Sequence, residues 1–451
     1  MSEHPLFRRA DVWLPMVWVL GLPSFVLLAE RTLPDIHVFK PDRIAFLIAA
    51  LPLIVGAVKR PAELRKPGLV EGAMLVLLAA LAASWVSTIA GKPVVELKQD
   101  ADFLLTCFVM PFGAFVIARN ASWSEERLPH DLWMLIGALA IYFLLFGLVQ
   151  STLDWNFLVP ASILQHPDRA KGPFDNAAPF GLLVVMLIVL TLLLFLLARR
   201  RSARIAVIVI AAGLAQSLVA SKTRAAWLAL PAGLLLPVIC YRRTRWLAAI
   251  LVADLAIQVF LVPAIQVRVQ HRPQMASPSS SQASGEAVAA KPNDYLGLQE
   301  RLVEEDPLYD RAAVTQIAVQ MIRAHPLFGL GFGLWTFQSH KAEYYGALGT
   351  HATYAVYPNN AHNDVLNVLV LTGIVGAAAY ALLMWAIARL LWRQYRGSPS
   401  PLIRALAVSS GALFVVLIVG AQFHAVMAMD YLQVLAFYIL GIVAHDFPKP
   451  V

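Results

Sequence analysis

Residues 357–364 read Tyr-Pro-Asn-Asn-Ala-His-Asn-Asp, and an apolar run of nearly two dozen residues follows them. His362 is the group in this stretch able to exchange a proton near neutral pH. At about 100° per residue, His362 shares a helix face with Val365 and Leu366, and Asn363 pairs with Asn367 on the adjacent one. Asp364 falls about 200° away and cannot orient His362 from within the same helix. Two readings are open. In one, Asn359 or Asn360 caps the helix and His362 is a polar group at headgroup level. In the other, His362 is a base held at the membrane edge, where ionisable groups tend to be functional.

Two further groups carry charge where a reason is needed. In "SLVASKTRAAWLAL" a tight turn between apolar runs holds Lys222 and Arg224. Either both reach for lipid phosphates, or the planar Arg224 guanidinium takes the oxygens of an anionic ligand two at a time. Arg311 opens an amphipathic segment, 307–324, in which Val314, Ile317, Ala318, Met321 and Ile322 repeat at helical spacing opposite Gln316, Gln320 and Arg323. With Arg311 at 0°, Ala318 and Ile322 lie within about 20° of it, so the charge sits on the apolar meridian. It faces either what the helix covers or a carboxylate among Glu304, Glu305 and Asp306.

Weaker signals are set aside. "GLGFG" at 329–333 follows no strand and sits in no βαβ unit, so it is not a nucleotide loop. His325, His340, His351 and His362 are too widely separated for a local zinc motif. Trp335, Tyr344, Tyr345, Tyr354 and Tyr357 either stack on sugar rings or anchor the segment in the interface.

The elements that must position these groups are membrane spans. The chain of 451 residues is 59% hydrophobic and only 14% charged, with mean hydropathy +0.67, against roughly a quarter charged in soluble proteins. Apolar windows near 20 residues, long enough to cross about 30 Å of hydrocarbon, start near residues 12, 43, 70, 102, 131, 178, 203, 225, 246, 364, 403 and 429. The first follows Arg8 and Arg9 and is kept as a span rather than a cleaved signal. With the N-terminus inside, short inner loops hold 20 Lys and Arg against 9 on short outer loops, so both ends are expected in the cytoplasm. The formal charge of +8 thus reads as topology, and no nucleic-acid partner is implied. Cys107 and Cys240 lie in or at the end of apolar windows and suggest no disulfide framework.

The expected organisation is helices 1–9 over residues 1–265, a large outer loop over 266–361, and helices 10–12 over 362–451. Within the loop, 275–294 is Ser/Ala/Pro-rich and expected to be flexible, and 307–324 is the amphipathic helix.

These residues together resemble the O-antigen ligase and polymerase superfamily. "HNDVLNVLVLTGIVG" fits its His-[Asn/Ser/Gln]-x9-Gly-x-x-[Gly/Thr/Tyr] signature at His362, Asn363, Gly373 and Gly376. "DRAAVTQIAVQMIRAHPLFGLGFG" is similar to its loop helix, an arginine followed by a His-Pro-x-x-Gly-x-Gly turn, and "TRAAWLAL" to its Arg-x3-Leu segment at Arg224 and Leu228. The resemblance implies an all-α polytopic fold of about twelve transmembrane helices with one large periplasmic loop, similar to the GT-C glycosyltransferases. It implies an enzyme of the bacterial inner membrane, working on the periplasmic side without nucleotide or metal. A glycan would pass from undecaprenyl diphosphate to lipid A–core oligosaccharide, with inversion at the anomeric carbon. His362 would be the catalytic base or position the acceptor, Arg224 and Arg311 would hold the diphosphate, and Lys222 and Asn363 would assist. A polymerase of the same superfamily is the nearest alternative. A polyprenyl-glycolipid transporter is the alternative from another class, but it would place charges near the bilayer midplane, whereas here they gather at the rim.

Overall fold

The computed structural model describes residues 9–32, 40–59, 64–152, 169–174, 176–261, 307–344 and 360–447. The expected flexible stretch 275–294, and with it Asn359, His351, Tyr345, Tyr354 and Tyr357, lies outside the described residues. The side chain of Arg311 does too, although its backbone belongs to a helix.

Each of the twelve apolar windows lies on a helix: α1 (Ala10–Thr32), α2 (Pro41–Lys59), α3 (Leu69–Val86), α4 (Val94–Asn120, with a π-helical turn at Leu105–Val109), α5 (Leu128–Thr152), α6 (Ala177–Leu197), α7 (Arg201–Ala220), α8 (Arg224–Cys240) and α9 (Thr244–Leu261). The loop region then contributes α10 (Pro307–Ala324) and the short α11 (Thr336–His340), before α12 (Asp364–Gly397), α13 (Pro401–Ala421) and α14 (Asp430–Val443). Among the described residues there is no strand. Among the described residues, eight helices are long and apolar enough to cross a membrane, and Ala10–Phe25, Arg224–Cys240 and Asp430–Val443 are shorter apolar helices. The protein is an all-helical polytopic membrane protein. The fold is helical because hydrocarbon offers backbone groups no partners, so each span must satisfy its own. Prolines inside α1 (Pro15, Pro23) and α2 (Pro52) do not end those helices.

The centre is α6. Every residue from Ala177 to Leu194 is buried, as expected of a helix apolar all round. It packs against α5, α7, α8 and α13. On α13, Val416 lies against Gly233 of α8, while Leu236 of α8 and Leu391 of α12 both approach Gly411. Helices α8 and α12 therefore flank α13 and run antiparallel to it. Both begin at the end of the bundle where α13 finishes.

The opposite end is closed by ionic contacts. Arg119 pairs with Glu71, Arg9 with Asp131 at 2.6 Å, and Arg65 with Asp446 at 3.1 Å. His445 lies in the same cluster, with Nδ1 3.1 Å from the Arg119 carbonyl and Nε2 3.1 Å from Arg65 Nη2. A neutral ring satisfies both, Nδ1–H donating and Nε2 accepting.

The helix over the apolar run after His362 is interrupted. Gly373 adopts φ 62° and ψ −159° inside α12, a region open essentially to glycine alone. The segment 326–331 fills the interruption. Leu330 N–H donates to Val370 O at 2.8 Å and Gly331 N–H to Leu371 O at 3.1 Å. In the reverse sense Ile374 N–H donates to Pro326 O at 2.9 Å and Val375 N–H to Leu327 O at 3.2 Å. A Cβ on Gly373 would collide with the Leu327 and Phe328 backbone, and one on Gly329 (φ 67°) with Val370 O and Thr372 N. The "GLGFG" stretch thus serves close backbone approach.

Two outcomes follow. Gly373→Ala is expected to cost at least about 1–2 kcal/mol from the left-handed backbone alone, with the docked loop displaced as well. Gly72→Ala, in α3 with open space around it, should be neutral or stabilising by about 0.5–1 kcal/mol; thermal unfolding in detergent compares the two. Burial, and Arg65 after it, push His445 down to about 4. The unfolded chain, titrating near 6.5, binds more protons in between, so this contribution is complete above pH about 6.5 and lost as pH falls toward 4. The wild-type melting temperature should drop through that window more steeply than that of His445→Asn.

Candidate functional site

The polar turn before α12 is built by asparagines. Asn363, rather than Asn359 or Asn360, is the N-cap: its Oδ1 accepts from Leu366 N–H at 3.1 Å, and its Nδ2 donates to Gln422 Oε1 at 3.2 Å. Asn360 Oδ1 accepts from His362 N–H at 2.9 Å, and Asn367 Oδ1 from the buried Ala361 N–H at 2.8 Å. Asp364 points away from this face, as its helical phase requires. It is 2% exposed, and its Oδ2 accepts from Met427 N–H at 3.0 Å. These bonds hold His362, half-buried, at φ 48°.

The cationic turn has the same backbone character. Lys222 stands at φ 49°, and Arg224 is the exposed first residue of α8. Among the described residues, Lys222 and His362 are the only non-glycine positions with positive φ. Such conformations cost about 1–2 kcal/mol for an ordinary L-residue and cluster where function over-determines the backbone.

A loop that the sequence analysis passed over secures the cationic turn. Arg169 donates from Nε to Ser221 O at 3.2 Å and from Nη2 to Lys222 O at 3.0 Å, and Ala170 N–H reaches Ala220 O at 2.9 Å. Its charge thus lies at the C-terminal end of α7, where the helix dipole favours a cation. Thr223 Oγ1 donates to Ala177 O at 3.1 Å. Gln150 Oε1 accepts from Lys171 N–H and Gly172 N–H at 2.9 and 2.8 Å, fixing the loop from α5. Phe174 stacks on Tyr431 at 4.3 Å between ring centroids, which ties it to the start of α14. The missed signal is the one applied to Lys222 and Arg224: Arg169 and Lys171 are paired cations on a loop expected on the outer, cation-poor side.

Both turns lie at the same end of the bundle. Asn363 bonds Gln422 at the end of α13, and Gly420, two residues earlier, approaches Leu182 of α6, beside the helix start that receives Thr223. Position 311 reaches this end through α10, whose Ala313, Val314, Ile317, Ala318 and Met321 are buried against Phe337, Ala361 and Val370. Position 311 precedes Val314 by three residues and Ala318 by seven, and so shares their meridian. Ala361 adjoins His362, which puts α10 against the histidine turn. Of the aromatic residues, Trp335 donates from Nε1 to Gln99 Oε1 at 2.6 Å and is held by α4. Lys341 is buried just beyond α11, where desolvation lowers its pKa. Cys107 and Cys240 are free thiols.

The fold and site define a multi-pass membrane protein whose polar, strained turns lie at one end of the bundle. Residues 211–381 match the family model described as O-Antigen ligase. The matched stretch spans both turns and α10, including Lys222, Arg224, Arg311 and His362. No curated protein matches the chain.

Arg169→Ala strips the Ser221 and Lys222 carbonyls of a charged donor and is expected to cost about 1–3 kcal/mol. The loss should be read as faster amide hydrogen exchange through residues 220–224. Arg169→Lys should recover only part of it, since an ammonium lacks the planar fork.

Proposed function

We propose that this protein is an O-antigen ligase. It transfers a glycan from undecaprenyl diphosphate to lipid A–core oligosaccharide on the periplasmic side of the inner membrane, with both termini cytoplasmic and a twelve-span, GT-C-like architecture. The observation that carries this reading is the pairing of left-handed Lys222 and His362 at one end of the bundle, both within the stretch that matches the O-antigen ligase family. The sidedness is supported by the excess of Lys and Arg on the opposite end.

In this mechanism a core hydroxyl oxygen attacks the anomeric carbon of the carrier-linked sugar, and His362 accepts its proton. The new glycosidic bond forms as the bond from that carbon to the diphosphate oxygen breaks, which inverts the centre. Undecaprenyl diphosphate departs with the electron pair. Diphosphate is already a good leaving group, so the acid partner of the usual glycosidase pair is dispensable. One base contributes about 10²–10⁴-fold. Arg224 and Arg311 stabilise charge growing on the departing diphosphate, with Lys222 assisting. Asn363 supports the histidine turn as the cap of α12. The chemistry calls for neither nucleotide nor metal.

The deciding experiment is reconstitution with carrier-linked glycan and purified lipid A–core. Product on the core is expected; longer carrier-linked chains instead would identify a polymerase. His362→Ala should insert and fold normally yet lose transfer by about 10²–10⁴-fold. Arg224→Ala and Arg311→Ala should weaken carrier binding, and lysine at either site should not restore it fully. Transfer should persist in excess EDTA.

A further inference from the structure

The end of the bundle opposite the histidine turn holds a cavity of about 320 Å³ between α3, α4, α12 and the residues just after α14. Three guanidinium groups line it: Arg119 of α4, and Arg389 and Arg393 of α12. Its two carboxylates are already engaged. Glu71 takes Arg119 on Oε1 and the Gly68 N–H, at 2.9 Å, on Oε2. Asp446 takes Arg65 at 3.1 Å. Among the described residues no carboxylate pairs with Arg389 or Arg393. These two stand one helical turn apart on an exposed face, a spacing at which like charges repel unless an anion sits between them. Leu69 and Val70, which also line the cavity, open α3 with N–H groups that have no intrahelical acceptor and with the positive end of the helix dipole.

Depth and lining decide what kind of anion fits. From Asp364, beside the histidine turn, α12 rises about 37 Å to Arg389 at 1.5 Å per residue, slightly more than a hydrocarbon core of about 30 Å. Arg389 therefore stands among lipid headgroups. Trp385 and Trp392, 51% and 62% exposed, flank it, as tryptophans do at a membrane interface. Arg389 Cζ lies 5.3 Å from the Trp385 ring centroid. The apolar part of the lining is deeper, with Phe115 one turn before Arg119 and Ala386 before Arg389. No charged residue occurs in 72–86 of α3 or 365–388 of α12. Leu75, Val76, Val375 and Leu382 are exposed on those helices, an uncharged surface that can carry acyl chains away from the cations.

We propose that this cavity binds the phosphodiester of an anionic phospholipid from the leaflet at that end, with Arg389 and Arg393 holding the phosphate. The site stands apart from the ligase reading. A free phosphate meets the same guanidinium pair but gains nothing from the interfacial depth or the apolar surface beneath. A zwitterionic lipid brings its own cation, which two unpaired arginines repel. The bound lipid ties α12 to α3 and α4 where the bundle leaves the hydrocarbon.

The test reads arginine accessibility in purified full-length wild-type protein in a neutral detergent. Modification by phenylglyoxal is followed by peptide mass spectrometry with added phosphatidylglycerol, phosphatidylcholine or inorganic phosphate. With phosphatidylglycerol about tenfold above its Kd, modification of Arg389 and Arg393 should slow about tenfold by mass action. Arg242 and Arg243, exposed on the turn between α8 and α9, should react as before. Absence of protection at Arg389 and Arg393, equal protection of Arg242 and Arg243, or equal protection by phosphatidylcholine overturns the site. Equal protection by inorganic phosphate overturns the lipid as its occupant. Separately, phosphatidylglycerol should raise the melting temperature of wild type and of Arg242→Gln/Arg243→Gln alike. Arg389→Gln/Arg393→Gln, altered only at exposed positions, should melt as wild type in detergent alone and lose most of that rise. A rise undiminished in this variant sinks the proposal.

Discussion

The docking of residues 326–331 onto the break in α12 is the interaction on which the site depends. An interrupted helix inside a membrane protein leaves backbone donors and acceptors that hydrocarbon cannot satisfy. Here four backbone hydrogen bonds, two in each direction, replace the lost ladder. The replacement couples three things far apart in the chain: α10 with Arg311, the turn before α12 with His362, and the remainder of α12 below Gly373. Glycine at 373 and 329 is required because the two backbones touch where any Cβ would stand. The same contact makes the loop region part of the bundle, and the apolar face of α10 completes it by packing on Ala361 and Val370.

With that frame fixed, the two strained turns can persist. Neither His362 nor Lys222 would choose a left-handed backbone in isolation. The amides of Asn360 and Asn367 hold one, and the guanidinium of Arg169 holds the other. Their relative placement comes from α6 and α13. The fully buried α6 aligns α8 by close packing, and α13 lies between α8 and α12, so that both begin at one end. A rigid apolar scaffold thus supports polar turns whose conformations it does not itself favour, which is the usual division of labour at functional sites.

Charge is distributed with the same economy. Partly buried ion pairs stand at both ends, Arg119–Glu71 and Arg9–Asp131 opposite the histidine and Lys92–Asp100 and Arg43–Asp102 on its side, where Arg169 is held by the Ser221 and Lys222 carbonyls. Between them the spans are largely free of charge.

Much of this was legible in the sequence. Helix positions follow from local composition: all twelve windows fall on helices, and among the described residues eight of these are long and apolar enough to cross a membrane. The apolar face of 307–324 was readable from its period, and His362, Lys222 and Arg224 stood out as polar groups at the rims of apolar runs. What the sequence could not decide was non-local. The cap of α12 moved to Asn363 because Gln422, 59 residues away, accepts its amide, and α12 broke at Gly373 because another segment supplied the missing partners. Arg169 went unnoticed because its role depends on carbonyls 52 and 53 residues distant. Hydropathy and charge act within a window and are visible there; hydrogen bonds and close backbone contacts between distant segments exist only once the chain has folded.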